Sequence, residues 1–394
     1  MTTTAVQQRL LTPGPTQVPP AVLEEMARPI IHHRTKQFQE IFADVGHRLK
    51  RLFRTDSPVL TITGSGTTAF EAAQVSLARP GSKVVTVAGG KFGERWQDIY
   101  DAYADTLGIA ENIKIDVPWG QAADPDRIAQ VLRDHRDVSV VTVVHSETST
   151  ATACDVKEIA RQVRAVGAED VLLIVDGITS VGALPVEMDG WDIDVLVTGS
   201  QKALMLPPGL GYVGLGPRAR KRLSEVEPRG CYNLDLRRWL KSYEKNDVPF
   251  TPPVSLIRGQ RVALEMIETE GLDHVIARTA RLAKATRAAF DALGLKPISN
   301  APSDSVSGAY YPPGVADAAF RSRLRDRHGI HIAGGQNGRG ADWKGKIFRI
   351  SHMGYVTDDD TRAALGAIEA ELIAAGHPAE AGSALAAANR YLAT

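Results

Sequence analysis

Lys202 and Asp176 each follow an apolar run of the kind that forms a buried strand of a parallel sheet. The segment Asp192-Ile-Asp-Val-Leu-Val-Thr-Gly-Ser-Gln-Lys202-Ala-Leu carries the lysine out of such a run into a turn of small residues. Open α/β sheets bind ligands beyond the carboxyl ends of their strands, so the amine stands where chemistry is expected. Gly199 and Ser200 permit close approach, and Ala203-Leu-Met-Leu206 provides apolar surroundings. Burial there would lower the amine's pKa and free it to form a Schiff base with an aldehyde. A solvated surface lysine is an equally good reading of this segment alone. Val171-Leu-Leu-Ile-Val175 ends in Asp176 and Gly177. Taken singly, an aspartate at a strand end more often caps the next turn.

As a pair, the two side chains match the needs of pyridoxal phosphate, which uses a lysine for its aldehyde and a carboxylate against its ring nitrogen. The protonated ring then serves as the electron sink for a carbanion at the substrate Cα. The phosphate needs an anion pocket. Leu60-Thr-Ile-Thr63, the turn Gly64-Ser-Gly-Thr-Thr68 and the helical pattern from Ala69 to Arg79 supply one. Glycines let backbone N–H groups face an anion, hydroxyls add donors, and a helix start adds the positive end of its dipole. An ordinary N-cap looks alike, so the turn is a moderate signal. It has neither the Gly-Lys-Ser/Thr ending of a nucleotide phosphate loop nor the full glycine spacing of a dinucleotide site.

Further segments complete a pattern: Leu11-Thr-Pro-Gly-Pro-Thr16, His33-Arg34, Lys91-Phe-Gly-Glu-Arg95, His145-Ser-Glu-Thr-Ser-Thr150, Phe250-Thr-Pro-Pro253 and Gly345-Lys-Ile-Phe-Arg-Ile350. With the strand ends and the phosphate turn, the chain resembles, nearly end to end, the class V family of fold-type I pyridoxal-phosphate enzymes. The alanine/serine–glyoxylate aminotransferase branch is the nearest match. The resemblance implies that Lys202 holds the cofactor aldehyde and shuttles the proton between Cα and C4′. It assigns Asp176 to the ring nitrogen and Ser65, Gly66, Thr67 and Gln201 to the phosphate. Phe92 would stack on the ring, and the Thr148 hydroxyl would face the ring oxygen. Gly14 and Arg349 would contact substrate, the guanidinium gripping a carboxylate through its two-pronged fork. The family implies a homodimer with composite active sites, in which Thr251 reaches the phosphate of the neighbouring subunit and His33 or Arg34 lies at the boundary.

Blander readings compete for several of these residues. Phe92 is as well explained by core packing. Thr148 would serve as an ordinary loop hydroxyl. His145 reads more readily as a buried strand-end histidine than as a catalytic group. An arginine like Arg349 would otherwise be salt-bridged within its own domain. His32 and His33 suit a turn better than a metal site, and no histidine, cysteine or acid spacing builds a zinc centre, so no metal is expected.

The elements that must position these groups alternate between short apolar runs and helical patterns, the signature of a mainly parallel α/β sheet. Strands are predicted at Val59–Thr63, Lys83–Ala88, Ser139–His145, Val171–Asp176, Val195–Thr198 and Tyr212–Leu215. Helices are predicted at Phe70–Arg79, Phe92–Leu107, Asp126–Arg133 and Val156–Ala165. Pro252–Glu270 and Leu272–Leu293 read as long helices separated by Gly271. The short strands Val306–Tyr311, His331–Ala333 and Ile347–Ser351, the helix Thr361–Ala375 and a last helix over Ser383–Tyr391, N-capped by Ser383, complete a smaller α+β unit. The expected division is an N-terminal arm over residues 1–25, a cofactor-binding large domain over 26–265 and a small C-terminal domain over 266–394. The fold class is α/β, the fold-type I transferase architecture.

Composition fits that picture and excludes others. The chain has 394 residues, 43% hydrophobic, enough for a large core in more than one domain. Its 46 basic and 46 acidic residues balance and are dispersed, which argues against a nucleic-acid partner. Two cysteines, Cys154 and Cys231, cannot form a disulfide framework and suit a reducing cytoplasm. The opening residues have no signal-peptide character, and no apolar run reaches membrane length.

The loop Gly334-Gly-Gln-Asn-Gly-Arg-Gly-Ala-Asp-Trp343 is longer than the family pattern and reads as flexible, placed to decorate the surface or close over substrate. Thr68 and Ala151 stand where related sequences often carry a smaller residue and a glycine. The expected reaction is transfer of an amino group from a small amino acid, alanine or serine, to a 2-oxo acid, glyoxylate. The alternatives on the same cofactor are a lyase or desulfurase, or a transaminase of the ureidoglycine or aminophosphonate type. An alternative of another class is a partner subunit that keeps the fold without turnover.

Overall fold

The computed structural model describes residues 7–227, 229–339 and 341–392. Residues 1–6 of the expected arm, Gly340 of the glycine-rich loop and residues 393–394 at the end of the expected small domain lie outside the described residues. A seven-stranded sheet forms in the order Val59–Thr63, Leu210–Leu215, Val195–Gly199, Leu172–Asp176, Val138–Val144, Lys83–Ala88, Glu111–Asp116. Leu210–Leu215 runs antiparallel to both neighbours, and the other pairs are parallel. The three strands Val138–Val144, Leu172–Asp176 and Val195–Gly199 are buried along their whole length. Helices cover both faces of such a sheet, which is why these sequences are continuously apolar rather than alternating.

Each of the large-domain strands expected from sequence forms, with ends within two residues of expectation. The seventh, Glu111–Asp116, escapes sequence reading because it is an edge strand with a polar, half-exposed sequence. The helix Lys36–Phe53 was also not expected, although Thr35 accepts a hydrogen bond from the Phe38 N–H and Phe38, Ile41, Phe42, Val45, Leu49 and Leu52 line its buried face. The helix expected from Phe70 begins earlier, at Gly66, because Ser65 and Thr68 cap each other's backbone N–H groups reciprocally. That bond accounts for the threonine at position 68.

Apolar side chains gather into one large core from Val22 to Val275 and a second that joins Leu11 to residues from Leu282 to Leu392. The helix Leu272–Ala292 crosses between them, giving Val275 to the first and Leu282 and Phe290 to the second. In the second unit Ile347–Ser351 lies between Val306–Tyr310 and Ala333–Gly334, antiparallel to both. The single strand expected over His331–Ala333 is a correction: Ile330–His331 pairs with Arg9–Leu10, the chain breaks step at Ile332, and Ala333–Gly334 pairs with Phe348 and Arg349. Ser383 is not a cap. Gly382 holds that position, and the Ser383 hydroxyl bonds Glu369. Within the glycine-rich loop, Asn337–Gly338 pairs antiparallel with Ala341–Asp342. Among the described residues no helix is long and apolar enough to cross a membrane.

Candidate active site

The parallel pairing of Leu172–Asp176 with Val195–Gly199 sets Asp176 opposite Val197, so Lys202 leaves the sheet beside it. Both open on a cavity with about 470 Å³ of space, solvent included. Ser65, Gly66, Thr67, Phe92, Thr148 and Gln201 line the same cavity, so eight of the residues expected from sequence meet there. Gly14 stands against the amine: a Cβ at that position would lie 2.0 Å from Lys202 Nζ. Gly14 also has a φ of 137°, so a side chain there would be strained and would push the Lys202 amine from its place.

Lys202 is 8% exposed, and its Nζ donates to the Pro13 carbonyl. Burial pulls its pKa down to about 8; Asp176 acts in the opposite direction, and the charges of Arg349 and Arg95 add to the lowering. Asp176 is pushed up to about 7 by burial, against hydrogen bonds from the Ile178 N–H at 2.9 Å and Trp96 Nε1 at 3.3 Å. A carboxylate held in this way, with one oxygen on a backbone amide and the other on an indole, is fixed in orientation and could receive a cationic donor from the cavity.

The first turn of the helix Gly66–Leu77 borders the cavity and could receive an anion. A Cβ on Gly66 would lie 2.2 Å from Ile178 Cδ1, so a larger residue there would have to displace the Ile178 side chain beside the Asp176 strand end. Thr67 Oγ1 accepts from Arg95 Nη1 at 3.1 Å. The Gln201 side-chain oxygen is buried without a hydrogen-bond partner among the described residues. A buried orphan acceptor at a ligand cavity is a group waiting for a donor.

Glu147 organises the opposite wall. Its Oε2 accepts from the backbone N–H groups of Phe92 (2.9 Å) and Gly93 (3.1 Å), and its Oε1 accepts from Ser149 N (3.1 Å) and Oγ (2.6 Å). An acid at the start of the helix Lys91–Leu107 meets its unpaired amides and the positive end of its dipole. Burial raises the pKa of Glu147, opposed by those same hydrogen bonds. The helix it anchors presents Phe92 and Arg95 to the cavity and sends Trp96 to Asp176.

Arg349 is 5% exposed and lies on the strand Ile347–Ser351, outside the walls of the cavity itself. It donates to the Thr148 carbonyl at 2.6 Å and to the Gly334 carbonyl at 2.7 and 3.2 Å. Among the described residues no carboxylate pairs with it, so the salt bridge of the bland reading does not form. Burial lowers its pKa to about 10, with the Glu147 charge opposing.

The structure does not bring the remaining expected residues to this cavity. Thr251 is exposed and apart from it. Arg34 is tied to Asp247 and to the Val248 carbonyl, and His33 lies against His32 with ring centroids 4.9 Å apart. His145 packs its ring edge-on against Trp191, and burial lowers its pKa to about 4. Burial raises the Cys154 thiol to about 11, and Cys154 does not line the cavity. Among the described residues no cluster of histidine, cysteine and acids could hold a metal ion. Sequence reasoning assigned no role to Arg95, Trp96 or Glu147. The signal for Arg95 was its place one turn after Phe92, which puts both on one helix face.

Residues 9–363 match the family model of class V aminotransferases. The chain belongs to that family. It is 41% identical to a soluble hydrogenase small subunit of Synechococcus sp., covering 98% of each chain. It is 33% identical to the serine–glyoxylate aminotransferase of Arabidopsis thaliana, covering 98% of this chain and 95% of that one. Among solved structures, an aspartate aminotransferase from Thermus thermophilus superposes with a TM-score of 0.84 at 35% identity, over 93% of this chain and 99% of that one. The sheet is therefore that of the fold-type I α/β transferases. Ala151, where related sequences often carry glycine, has a backbone φ of 53° in the left-handed region that favours glycine.

Proposed function

We propose that this class V aminotransferase takes its amino group from a small amino acid, alanine or serine, and passes it to a 2-oxo acid, glyoxylate. Its cofactor is pyridoxal 5′-phosphate, which supplies an aldehyde to receive the amine and a ring that stabilises negative charge at Cα. The lysine, the acid and the glycine cradle fit that group. On this reading Lys202 binds the cofactor and moves the proton at the substrate Cα, its lowered pKa keeping a share of neutral amine near neutral pH. Asp176 holds the ring nitrogen, Phe92 covers one face of the ring, and Thr148 approaches its oxygen.

The observation that carries the substrate reading is the buried guanidinium of Arg349, held among the described residues only by carbonyl oxygens. A buried cation without an acid partner is costly unless a ligand supplies the negative charge, and a carboxylate does so bidentately. A glyoxylate acceptor agrees with the serine–glyoxylate aminotransferase activity of the Arabidopsis relative.

The proposed assembly is a homodimer in which Thr251, exposed in its own chain, completes the partner's phosphate site, with the boundary between large and small domains near residue 265. The soluble hydrogenase relative favours a second reading, a subunit that keeps the fold without turnover. A panel of donors and acceptors, followed by cofactor absorbance, separates the two. Bleaching by alanine or serine and recovery with glyoxylate supports the aminotransferase reaction proposed, whereas colour that responds to no amino acid supports the subunit.

A further inference from the structure

We infer that Arg95 supplies the fixed positive charge for the cofactor's phosphate, and thereby makes the site select a phosphorylated pyridoxal over pyridoxal itself. The inference rests on the pyridoxal-phosphate reading of the cavity. Among the described residues that line it, only Lys202 and Arg95 carry positive charge. Lys202 is committed to the aldehyde, so its amine is taken up in the covalent bond and is not free as an ammonium partner for the phosphate. A phosphate monoester brings a charge of about −1.5 to −2 at neutral pH, whereas a helix start offers the equivalent of about +0.5. The cradle of Ser65, Gly66 and Thr67 therefore supplies donors but falls short of the charge by about one unit, which is what a guanidinium provides.

Three features of Arg95 fit this task. Its Nη1 already donates to Thr67 Oγ1 at 3.1 Å, on the cradle itself. That bond occupies a lone pair of the hydroxyl and leaves its proton to be donated to an anion. Arg95 has no carboxylate partner among the described residues. The adjacent Glu94 is turned away toward Lys91 and the backbone N–H of Arg339. The guanidinium is instead held over the Phe92 ring, its central carbon 5.1 Å from the ring centroid, an attraction that positions a cation without neutralising it. A ring-stacking residue and a phosphate-binding residue one turn apart on one helix would clamp the two ends of the cofactor together.

The test strips cofactor from the holoenzyme and retitrates the protein with pyridoxal phosphate and with pyridoxal, following Trp fluorescence and cofactor absorbance. Arg95→Gln should weaken pyridoxal phosphate by about tenfold or more, the loss expected for a charge-assisted bond, while pyridoxal changes less than about twofold. Arg95→Lys should recover part of the loss, and inorganic phosphate should compete with pyridoxal phosphate on the wild-type protein but only weakly on Arg95→Gln. Equal weakening of both forms, or no weakening of either, overturns the inference. So does an unchanged cofactor affinity accompanied by a raised KM for aspartate but not alanine, which would assign Arg95 to a donor's second carboxylate. A wild-type protein that binds neither form would instead remove the cofactor reading on which the inference stands.

Discussion

Glu147 accepts the backbone N–H of Phe92 at 2.9 Å, so one buried carboxylate fixes the entry of the helix that also carries Arg95 and Trp96. Through Trp96 that helix reaches Asp176, and through the neighbouring Thr148 carbonyl the same loop reaches Arg349. A single loop thus ties the Asp176 side of the site to the Arg349 side. Glu147→Gln replaces one acceptor oxygen with an amide donor and leaves two N–H groups facing it. Each lost partner costs about 1–3 kcal/mol, so a stability loss of about 2 kcal/mol or more is expected in denaturant titration of the holoenzyme. An unchanged midpoint would show that the hydrogen bonds to Glu147 are dispensable.

Lys202, at a pKa of about 8 set chiefly by burial, should capture the cofactor aldehyde faster as pH rises and reach a plateau above pH 8. Only the neutral amine is nucleophilic, which fixes the sign. Stopped-flow absorbance of stripped protein mixed with pyridoxal phosphate measures this profile. Lys202→Ala should show no covalent capture and lose turnover by orders of magnitude, and capture at an undiminished rate in that variant would place the reactive amine elsewhere.

Much of this site was legible because the residues that bear chemistry sit at strand ends, where continuous apolar runs followed by glycine mark the boundary clearly. Asp176 and Lys202 are both of this kind. Glu147 was not legible: it lies in a run of serines and threonines, and its importance comes from amides of a helix more than fifty residues earlier in the chain. Among the elements, the buried strands declared themselves, while Glu111–Asp116 pairs on one side only and keeps a polar sequence. The hairpin within the glycine-rich loop depends on docking against the Lys91–Leu107 helix, where Arg339 bonds Gln97 and Asp98, and no local propensity announces that contact.

Arg349→Leu should raise KM for every amino-acid donor and every 2-oxo-acid acceptor together, by about tenfold to a hundredfold for a lost bidentate pair, while cofactor absorbance remains. Leucine also leaves the Thr148 and Gly334 carbonyls without their donor, so a modest fall in melting temperature accompanies it. Arg349→Lys keeps a charge but not the fork and should restore stability more than affinity. An unaltered KM for donor and acceptor in Arg349→Leu would withdraw the carboxylate-anchor role and the substrate reading built on it.

His352 lies 1% exposed with Nε2 2.9 Å from Ser307 Oγ, and burial lowers its pKa to about 3. His145 is lowered to about 4 for the same reason. In the unfolded chain both return to about 6.5, so below that pH the unfolded state binds protons that the folded state refuses. Their contribution to stability is therefore fully present above pH 6.5 and declines as pH falls toward 4, at up to about 1.4 kcal/mol per pH unit for each histidine. Asp176 works in the opposite direction: its pKa is raised to about 7 by burial, so its contribution is lost as pH rises through that value. The difference between wild type and His352→Gln cancels the Asp176 share. Urea unfolding at pH 5 and pH 7.5 should show the variant losing less stability on acidification than wild type, by about one proton's worth of slope. Identical pH dependence in the two proteins would mean that His352 is not held neutral in the folded state.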